Sequence, residues 1–352
     1  MSTRVAQEIV NRTTMSDAEV SAIKGLLAEI ESQYRSVDDP GFLVNAPVLA
    51  HELPRRLRKF LNDFKQLEPR SGHCIISAYP VSDSRIGRTP SHWQSRPRVS
   101  PTLEEEMLFV LFASLLGDVI GWATQQNGYI VHDVLPIKAD EDSQISTGSL
   151  QTITWHNEDA FHPYRGDYVG LMCLRNPDNV PTTLAPIDMV HLDERLIEHL
   201  FEPRFVIHPD ESHSELNKAD KGEQPEGSDY LIQAAYRHIN EMRSNPKKFA
   251  ILYGDRRSPY ICIDPYFMSH LDDDVAQSAL EALIKAIDAK LFDLTLQPGE
   301  YLFVDNYKAV HGRKPFKPRY DGTDRWFKRT NIARDLRKSR DSRITSESRI
   351  IY

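Results

Sequence analysis

Two histidines and one glutamate have the residue types and the spacing of an iron site. His156 and Glu158 are separated by one residue, and His311 follows far downstream. Side chains at positions i and i+2 of a strand point to the same side, so His156 and Glu158 can hold one metal ion from one strand. Two imidazoles and one carboxylate on one face of Fe(II) leave three coordination positions open, as oxygen-activating non-haem iron enzymes require. A His-x-Glu triplet alone also arises by chance in a chain with 13 His and 51 acidic residues.

Two arginines after His311 strengthen the prediction of an iron enzyme. Arg325 lies 14 residues after His311, and Arg329 lies 18 residues after it. 2-Oxoglutarate can fill two open positions of such an iron through its keto acid, and its distal carboxylate then needs a cation. The planar fork of a guanidinium matches a carboxylate. Because residues four apart on a strand share a face, the two arginines could hold two different carboxylates. The ordinary alternative for each is a solvated surface charge.

The composition is that of a globular protein with a small-molecule substrate. The chain has 352 residues, and its 43 basic and 51 acidic side chains give a net charge of −8, which disfavours nucleic-acid binding. The longest apolar run, 107–122, is interrupted by Gly117 and Asp118 and is too short to cross a bilayer. Three cysteines without paired spacing, and no signal peptide, favour the cytoplasm. We therefore expect no nucleic-acid or membrane partner.

Helical patterns come first along the chain, and strand patterns dominate its second half. Possible capping boxes at Ser16 and at Thr102 predict two helices, of which the second is apolar nearly all round and should be buried. Short β-rich runs follow, and 274–290 has the pattern of an amphipathic helix between strands. This order predicts a mainly β fold, a double-stranded β-helix (jelly roll) with flanking N-terminal helices and a helical insert.

We expect residues 1–352 to form a single domain in which three segments differ from the rest. Residues 1–14 are polar and are expected to be loose, and residues 335–352 have the mixed charges of a solvated C-terminal tail. The stretch 209–229 contains few apolar residues. It suits either a disordered surface loop or an active-site lid.

Five runs of sequence resemble the clavaminate-synthase-like family of Fe(II)/2-oxoglutarate oxygenases. Within that family the chain looks most similar to the arginine and enduracididine β-hydroxylases of peptide-antibiotic pathways. The resemblance extends from about His51 to the C terminus, and it implies a jelly-roll enzyme that uses Fe(II), with 2-oxoglutarate and O2 as cosubstrates. The runs are HELPRRLR (51–58), LLGDVIGWATQQ (115–126), WHNEDAFHPYR (155–165), DNYKAVHGRKPF (305–316) and RYDGTDRW (319–326).

The resemblance implies a role for each residue of the metal and cosubstrate site. His156, Glu158 and His311 match the iron ligands of the family. Arg325 matches the residue that binds the distal carboxylate of 2-oxoglutarate. Thr183 lies where the family places a hydroxyl group on the same carboxylate.

The resemblance also implies contacts with both ends of a free amino-acid substrate. Arg329 matches the residue that binds the α-carboxylate, while Gln125 and Glu158 match those that meet the α-amino group. Asp210 and Ser212, in the possible lid, match positions that reach a guanidinium group.

The sequence departs from the arginine hydroxylases at the guanidinium end. Those enzymes carry Asp-x-Asp on a strand that faces the guanidinium, whereas this chain has Asp264 and then Tyr266. A single Asp can pair with a guanidinium and a Tyr ring can stack on it, so both residues remain predicted substrate contacts. Asn157, between two metal ligands where Thr is usual, is expected to point away from the iron.

Three functions are compatible with these residues. The expected function is hydroxylation, at Cβ, of free arginine or enduracididine in nonribosomal peptide or antibiotic biosynthesis. The same iron chemistry would also serve a C4 hydroxylase or a desaturase of arginine, citrulline or lysine. A jelly-roll protein that binds a metal or ligand without turnover is a third possibility. Arg325 and Arg329 argue against it, because a binding protein needs no cosubstrate clamp.

Overall fold

Strands form the centre of the molecule, and most helices precede them. The computed structural model describes residues 11–214 and 229–352. Its strands are β1 (Asn11–Thr14), β2 (His73–Ser77), β3 (Asp118–Trp122), β4 (His132–Val134), β5 (Ile153–His156), β6 (Tyr168–Arg175), β7 (Thr182–Pro186), β8 (Leu252–Asp255), β9 (Ser258–Ile261), β10 (Phe292–Leu294), β11 (Tyr301–Asp305), β12 (Ala309–Arg313), β13 (Trp326–Ala333) and β14 (Ile350–Ile351).

The α-helices of the described residues lie mainly before β3 and around β8 and β9. None of them is both long and apolar enough to cross a membrane. They are α1 (Asp17–Gln33), α2 (Pro40–Leu49), α3 (Arg55–Leu67), α4 (Asp83–Ile86), α5 (Leu103–Ser114), α6 (Glu194–Leu200), α7 (Asp229–Ser244) and α8 (Asp274–Asp288).

Two sheets face each other across an apolar core. The larger sheet has the order β1-β2-β11-β6-β13-β3-β14, with β4 paired to β13, and the smaller has the order β10-β7-β12-β5. Leu171 and Phe327 from the larger sheet and Leu184 from the smaller one share a single buried cluster. Burial of each such side chain contributes about 1.5–3 kcal/mol, so this cluster holds the two sheets together. The mainly β prediction is confirmed.

The N-terminal helices cover the outer face of the larger sheet. The capping box predicted at the start of α1 is present, because Ser16 Oγ accepts from Glu19 N at 3.3 Å and Glu19 Oε2 accepts from Ser16 N at 2.8 Å. Helix α5 is buried, as its apolar circumference predicts. Its Phe109 ring packs so closely on Gly170 of β6 that a Cβ there would lie 2.8 Å from the ring.

The capping box predicted at the start of α5 is wrong, although the helix itself is present. Thr102 precedes the helix but makes no capping hydrogen bond. Its hydroxyl instead donates to Glu106 at 2.7 Å, while Glu105 pairs with Arg85. Glu105, which the capping box would need, therefore forms a buried ion pair instead.

Described segments near both chain ends are more ordered than the sequence predicts. Residues 11–14, expected to be loose, form β1 in parallel with β2, while residues 1–10 lie outside the described part. The expected solvated tail 335–352 instead returns to the protein, since Ile350 and Ile351 pair with β3. Buried Arg343 donates to three carbonyl groups of the same segment, which holds the turn before β14.

Candidate active site

Strands β5 and β12 bring the three predicted metal ligands together. The strands are antiparallel neighbours, and His156 lies directly opposite His311. Glu158 follows β5 by two residues. Its Oε2 atom lies 3.8 Å from His156 Nε2 and 3.3 Å from His311 Nε2. One donor atom from each of the three residues lies within 4.8 Å of the others.

Hydrogen bonds to Asn306 fix the backbone of Glu158. Asn306 Oδ1 accepts from Glu158 N at 2.8 Å, and Asn306 Nδ2 donates to Glu158 O at 3.0 Å. Asn157 turns to the other side, where its amide bonds to the backbone of Asn306, Ala309 and Ile263. It therefore does not contact the triad, but it ties the ligand segment to the start of β12.

The charges around Glu158 favour a cation between the imidazoles. Burial opposes ionisation of Glu158, but Arg329 and the two histidines hold its pKa well below its usual range. Burial also disfavours charge on His156, yet the hydrogen bond to Glu158 raises the pKa of that imidazole to about 9. The pKa of His311 is lowered, mainly by burial. A divalent metal would replace the proton that His156 shares with Glu158.

The donor set fits Fe(II). His156 Nδ1 lies 2.8 Å from the carbonyl oxygen of Thr154. A hydrogen bond there orients the imidazole ring, so that Nε2 can face the metal. The remaining donors are the Nε2 atom of His311 and the Oε2 atom of Glu158. Two imidazoles and a carboxylate form the facial set that binds non-haem Fe(II).

Arg329 connects this triad with the predicted substrate contacts. Its Nη1 atom pairs with Glu158 Oε1, the carboxylate oxygen that does not face the histidines. Its Nη2 atom donates to Gln125 Oε1 at 3.2 Å and lies 3.1 Å from His132 Nδ1. Burial, together with Arg329, lowers the pKa of His132 to about 3, so this imidazole is neutral and accepts the hydrogen bond. Gln125 Nε2 also donates to Ser212 Oγ at 2.5 Å, and both residues line a second cavity beside Arg329.

Arg325 is a buried cation without a counter-ion among the described residues. It lines the same pocket as the triad and lies over the ring of Phe327, 3.7 Å from the centroid. Its Nε atom has no described hydrogen-bond partner. Burial lowers the pKa of its guanidinium to about 10. A buried unpaired charge is costly, so this position is suited to a ligand that brings a carboxylate.

The register of β7 places the hydroxyl group of Thr182, one residue before the predicted Thr183, at the pocket. Thr182 lies opposite Arg313 on the neighbouring strand, and Thr183 lies opposite Gly312. Cross-strand partners share a face of the sheet, and the face with Arg313 is the one that includes His311. Thr182 accordingly lines the pocket, whereas Thr183 does not. Thr183, the predicted cosubstrate contact, lies on the opposite face of β7, because a shift of one residue reverses the side chain.

An unpaired carboxylate lies at the other end of the pocket. Asp264 is 7% exposed, and no described Arg or Lys forms an ion pair with it. Burial, with a further contribution from Asp210, raises its pKa to about 6. Asp264 and Tyr266 do not share a strand face as expected. They lie in a turn where Tyr266 N donates to Asp264 Oδ1 at 3.2 Å, and the Tyr ring is 53% exposed at the rim.

The described start of the predicted lid also reaches the pocket. Asp210 and Ser212 line it, and Ser212 N donates to Asp210 Oδ1 at 2.8 Å. The next residue, His213, is buried and lies 3.0 Å from Asp159, which directly follows the metal ligand Glu158. Residues 215–228 of the predicted lid lie outside the described residues.

Several pocket residues were missed by the sequence interpretation. Arg313 follows His311 by two residues, and strand alternation alone would have placed it on the same face. Gln144, Ile145 and Ser146 form another wall of the pocket. They lie in a loop without the periodicity of a helix or strand, so no pattern in the sequence indicates them.

Comparisons with known proteins agree with this geometry. Residues 198–331 match the family model of the taurine catabolism dioxygenase TauD, TfdA family. The enduracididine beta-hydroxylase of Streptomyces hygroscopicus is 44% identical over 96% of this chain and 98% of its own length. The L-ornithine/L-arginine 3-hydroxylase of Catenulispora acidiphila is also 44% identical, over 97% of this chain and 100% of its own.

Solved structures show the same fold with ligands bound. The non-haem iron oxygenase OrfP in complex with Fe, succinate and (3S)-hydroxy-L-Arg has a TM-score of 0.90 and 43% identity, covering 97% of this chain and 100% of OrfP. OrfP in complex with Fe and alpha-ketoglutaric acid has a TM-score of 0.85 at the same identity and coverage. The chain therefore belongs to the clavaminate-synthase-like Fe(II)/2-oxoglutarate oxygenases of the TauD/TfdA family.

Proposed function

We propose that this enzyme hydroxylates C3 (Cβ) of a free guanidino amino acid, arginine or enduracididine, with Fe(II), 2-oxoglutarate and O2. The proposal rests on two buried charges of opposite sign that line the pocket of the triad and have no described counter-ion. Arg325 lacks a described anion and Asp264 lacks a described Arg or Lys partner. A pocket with one free cation and one free anion suits a dicarboxylate and a basic amino acid bound together.

The metal and cosubstrate occupy one half of the proposed map. His156, Glu158 and His311 hold the iron, and Arg325 with Thr182 holds the distal carboxylate of 2-oxoglutarate. The bound iron and its cosubstrate supply oxygen activation, in which one oxygen atom enters the succinate formed with CO2 and the other enters the substrate. The role of the protein is to present each ligand in a fixed orientation, since misplacement by 1 Å costs about 100-fold in rate.

The amino-acid substrate occupies the other half. Its α-carboxylate binds Arg329, which Glu158, Gln125 and His132 hold in place. Its α-amino group lies near Gln125 and Glu158. With that end fixed beside a metal ligand, the carbon nearest to the iron is close to the α-carbon, which supports reaction at Cβ.

The guanidinium binds Asp264 and Asp210, with Ser212 and the ring of Tyr266 beside it. Asp210 raises the free energy of the ionised form of Asp264, and a cation beside both carboxylates removes that repulsion. A neutral citrulline side chain would leave the buried carboxylate of Asp264 without a counter-ion, so we propose a charged substrate. The names of the relatives support the same class, because the two at 44% identity act on enduracididine and on ornithine or arginine.

The proposal extends to the architecture and setting of the enzyme. The two facing sheets form a double-stranded β-helix (jelly roll), and residues 1–352 form a single domain with the stretch 209–229 as its lid. Cys74, Cys173 and Cys262 are free thiols, which suits a cytoplasmic enzyme. The similarity to an enduracididine hydroxylase supports a role in antibiotic biosynthesis.

The test is turnover with a panel of amino acids. Iron-loaded enzyme prepared without oxygen is given 2-oxoglutarate, air and arginine, enduracididine, homoarginine, citrulline or lysine, and succinate and product masses are measured. We expect succinate in proportion to a product 16 mass units heavier, from a guanidino amino acid. A product two mass units lighter would identify a desaturase instead. If no guanidino compound stimulates succinate formation, the proposal that Asp264 and Asp210 bind a guanidinium group is overturned.

A further inference from the structure

Arg313 is a second buried arginine at the cosubstrate end of the pocket, and the proposed map gives it no role. It ends β12, the strand that carries His311, and its side chain is 5% exposed. No described carboxylate pairs with it, and its Nε atom has no described hydrogen-bond partner. It lies within electrostatic range of Arg325. Both buried cations line the same pocket, where like charges repel each other, so the arrangement needs a function that offsets the cost.

The guanidinium of Arg313 holds a loop over the pocket. Its Nη1 atom donates to Gly148 O, and its Nη2 atom donates to Gln151 O at 3.0 Å. It also lies over the ring of Phe316, 5.0 Å from the centroid. Both carbonyl groups belong to residues 138–152, which we call the wall loop because Gln144, Ile145 and Ser146 line the pocket.

The wall loop is folded on itself but has few other attachments to the strands. Its internal hydrogen bonds include those from Ser149 N and Leu150 N to Glu141 O, at 3.1 Å and 2.9 Å. Phe316 N donates to Ser149 O at 2.9 Å, just beyond β12. A Cβ on Gly148 would collide with the Ser143 carbonyl, so the turn beside Arg313 requires glycine.

We propose that Arg313 is a positioning residue that couples binding of the dicarboxylate cosubstrate to closure of the wall loop. The inference rests on the proposed function, because it requires the distal carboxylate of 2-oxoglutarate to bind Arg325. That carboxylate neutralises the paired cations, which stabilises Arg313 in the position where it holds the two loop carbonyls. Closure of the loop then completes the wall around the cosubstrate. By thermodynamic linkage, cosubstrate binding favours the closed loop, and the closed loop raises the affinity for the cosubstrate.

The experiment follows hydrogen exchange of the wall loop in iron-loaded protein kept free of oxygen. Exchange is measured without ligand, with saturating 2-oxoglutarate, and with 2-oxobutyrate, which has the keto acid but no distal carboxylate. We expect 2-oxoglutarate to slow exchange in residues 138–152 and 2-oxobutyrate to leave it unchanged. Equal protection by both acids would overturn the role of the paired cations.

Variants separate this inference from the proposed function. In Arg313→Met we expect weaker 2-oxoglutarate binding, by about fivefold or more, and no ligand-induced protection of the wall loop. Arg337→Met, which removes an exposed arginine paired only with Asp335 among the described carboxylates, is the matched control and should behave as wild type. Gly148→Ala leaves both cations in place but strains the loop, and it should also lose the protection.

The outcomes have distinct meanings. If Arg313→Met keeps wild-type affinity and protection while Arg325→Met loses 2-oxoglutarate binding, the coupling is wrong and the proposed function stands. If Arg325→Met binds 2-oxoglutarate as the wild type does, the cosubstrate map is wrong and the coupling is overturned with it. Should Arg313→Met fail to fold, Gly148→Ala decides, because unchanged protection in that variant contradicts the proposal.

Discussion

The cosubstrate end and the substrate end of the pocket differ in the sign of the charge that each leaves unpaired. At the cosubstrate end, Arg313 and Arg325 are buried without a described carboxylate. At the substrate end, Asp264 is buried without a described Arg or Lys partner. Both ends are electrostatically incomplete, and each is complementary to one of two ligands. The difference shows how one cavity can distinguish an acidic from a basic ligand without a dividing wall.

The proposed metal centre, in contrast, has charged or imidazole partners on both oxygens of its carboxylate. Glu158 contacts both histidines through Oε2 and Arg329 through Oε1. Its charge is therefore shared between the iron site and the residue proposed to bind the substrate carboxylate. Loss of the Glu158 carboxylate should therefore impair the enzyme more than loss of a single charge at either end of the pocket.

The largest expected effect is therefore that of Glu158→Gln. The change leaves Arg329 and the metal without their common anion, at a cost of roughly 4 kcal/mol, or about 1000-fold in iron affinity. We expect little bound iron by metal analysis and turnover below about one thousandth of wild type. Glu198→Gln, which affects only an exposed pair with Arg256, serves as the control. Stoichiometric iron in Glu158→Gln would contradict the ligand assignment.

The next prediction concerns the cost of keeping Asp264 ionised. Its folded-state pKa of about 6 lies above the ordinary value of 3.8, so the folded state loses stability as the pH rises from about 3.8 to 6. At pH 7 this cost is about 3 kcal/mol at most. Asp264→Asn should therefore raise the free energy of unfolding in urea by about 1–3 kcal/mol at pH 7, but have little effect at pH 4. The exposed change Asp178→Asn should not do so. A less stable Asp264→Asn variant at pH 7 would mean that this carboxylate is paired.

The same pKa predicts how substrate binding depends on pH. Asp264 must be ionised to attract a cation, so arginine affinity should fall about tenfold per pH unit below 6. Affinity for 2-oxoglutarate should change far less over the same range, because Arg325 stays charged. Titrations of iron-loaded enzyme between pH 5 and 8 measure both. A pH dependence that persists in Asp264→Asn would assign the effect to another group.

The smallest effect distinguishes two adjacent threonines. Thr182→Val removes a hydroxyl from the cosubstrate end and should raise the KM for 2-oxoglutarate by about fivefold, or about 1 kcal/mol. Thr183→Val changes the opposite face of the same strand and should alter it by less than about twofold. Steady-state succinate formation measures both. The reverse order would restore Thr183 as the cosubstrate contact.

These threonines also show what the sequence alone can predict. The grouping of His156, Glu158 and His311 was predictable because Arg325 and Arg329 follow this His-x-Glu pattern and its distant His at the spacing of the family. The α1 capping box and helix α8 were predictable because they depend on local sequence. Thr183 was assigned by likeness to a family pattern, and only the pairing of β7 with β12 shows which threonine faces the pocket.

Features that depend on long-range pairing or on side-chain hydrogen bonds were not predictable. Residues 11–14 are polar, and they form a strand only because the edge of β2 lies beside them. The C-terminal tail is fixed by β3, which lies more than 200 residues earlier in the chain. The turn at Asp264 likewise replaces the predicted strand, because its carboxylate accepts a backbone hydrogen bond from Tyr266. Each of these depends on tertiary contacts or side-chain hydrogen bonds that hydrophobic periodicity does not encode.

The opposite charges of the two ends can be tested most directly by measuring both ligands on two variants. Iron-loaded wild type, Arg325→Met and Asp264→Asn are each titrated without oxygen with 2-oxoglutarate and with L-arginine. We expect Arg325→Met to weaken 2-oxoglutarate about 100-fold and arginine less than about threefold, and Asp264→Asn to show the converse. Equal losses of both ligands in each variant would contradict the assignment of one charge to each ligand.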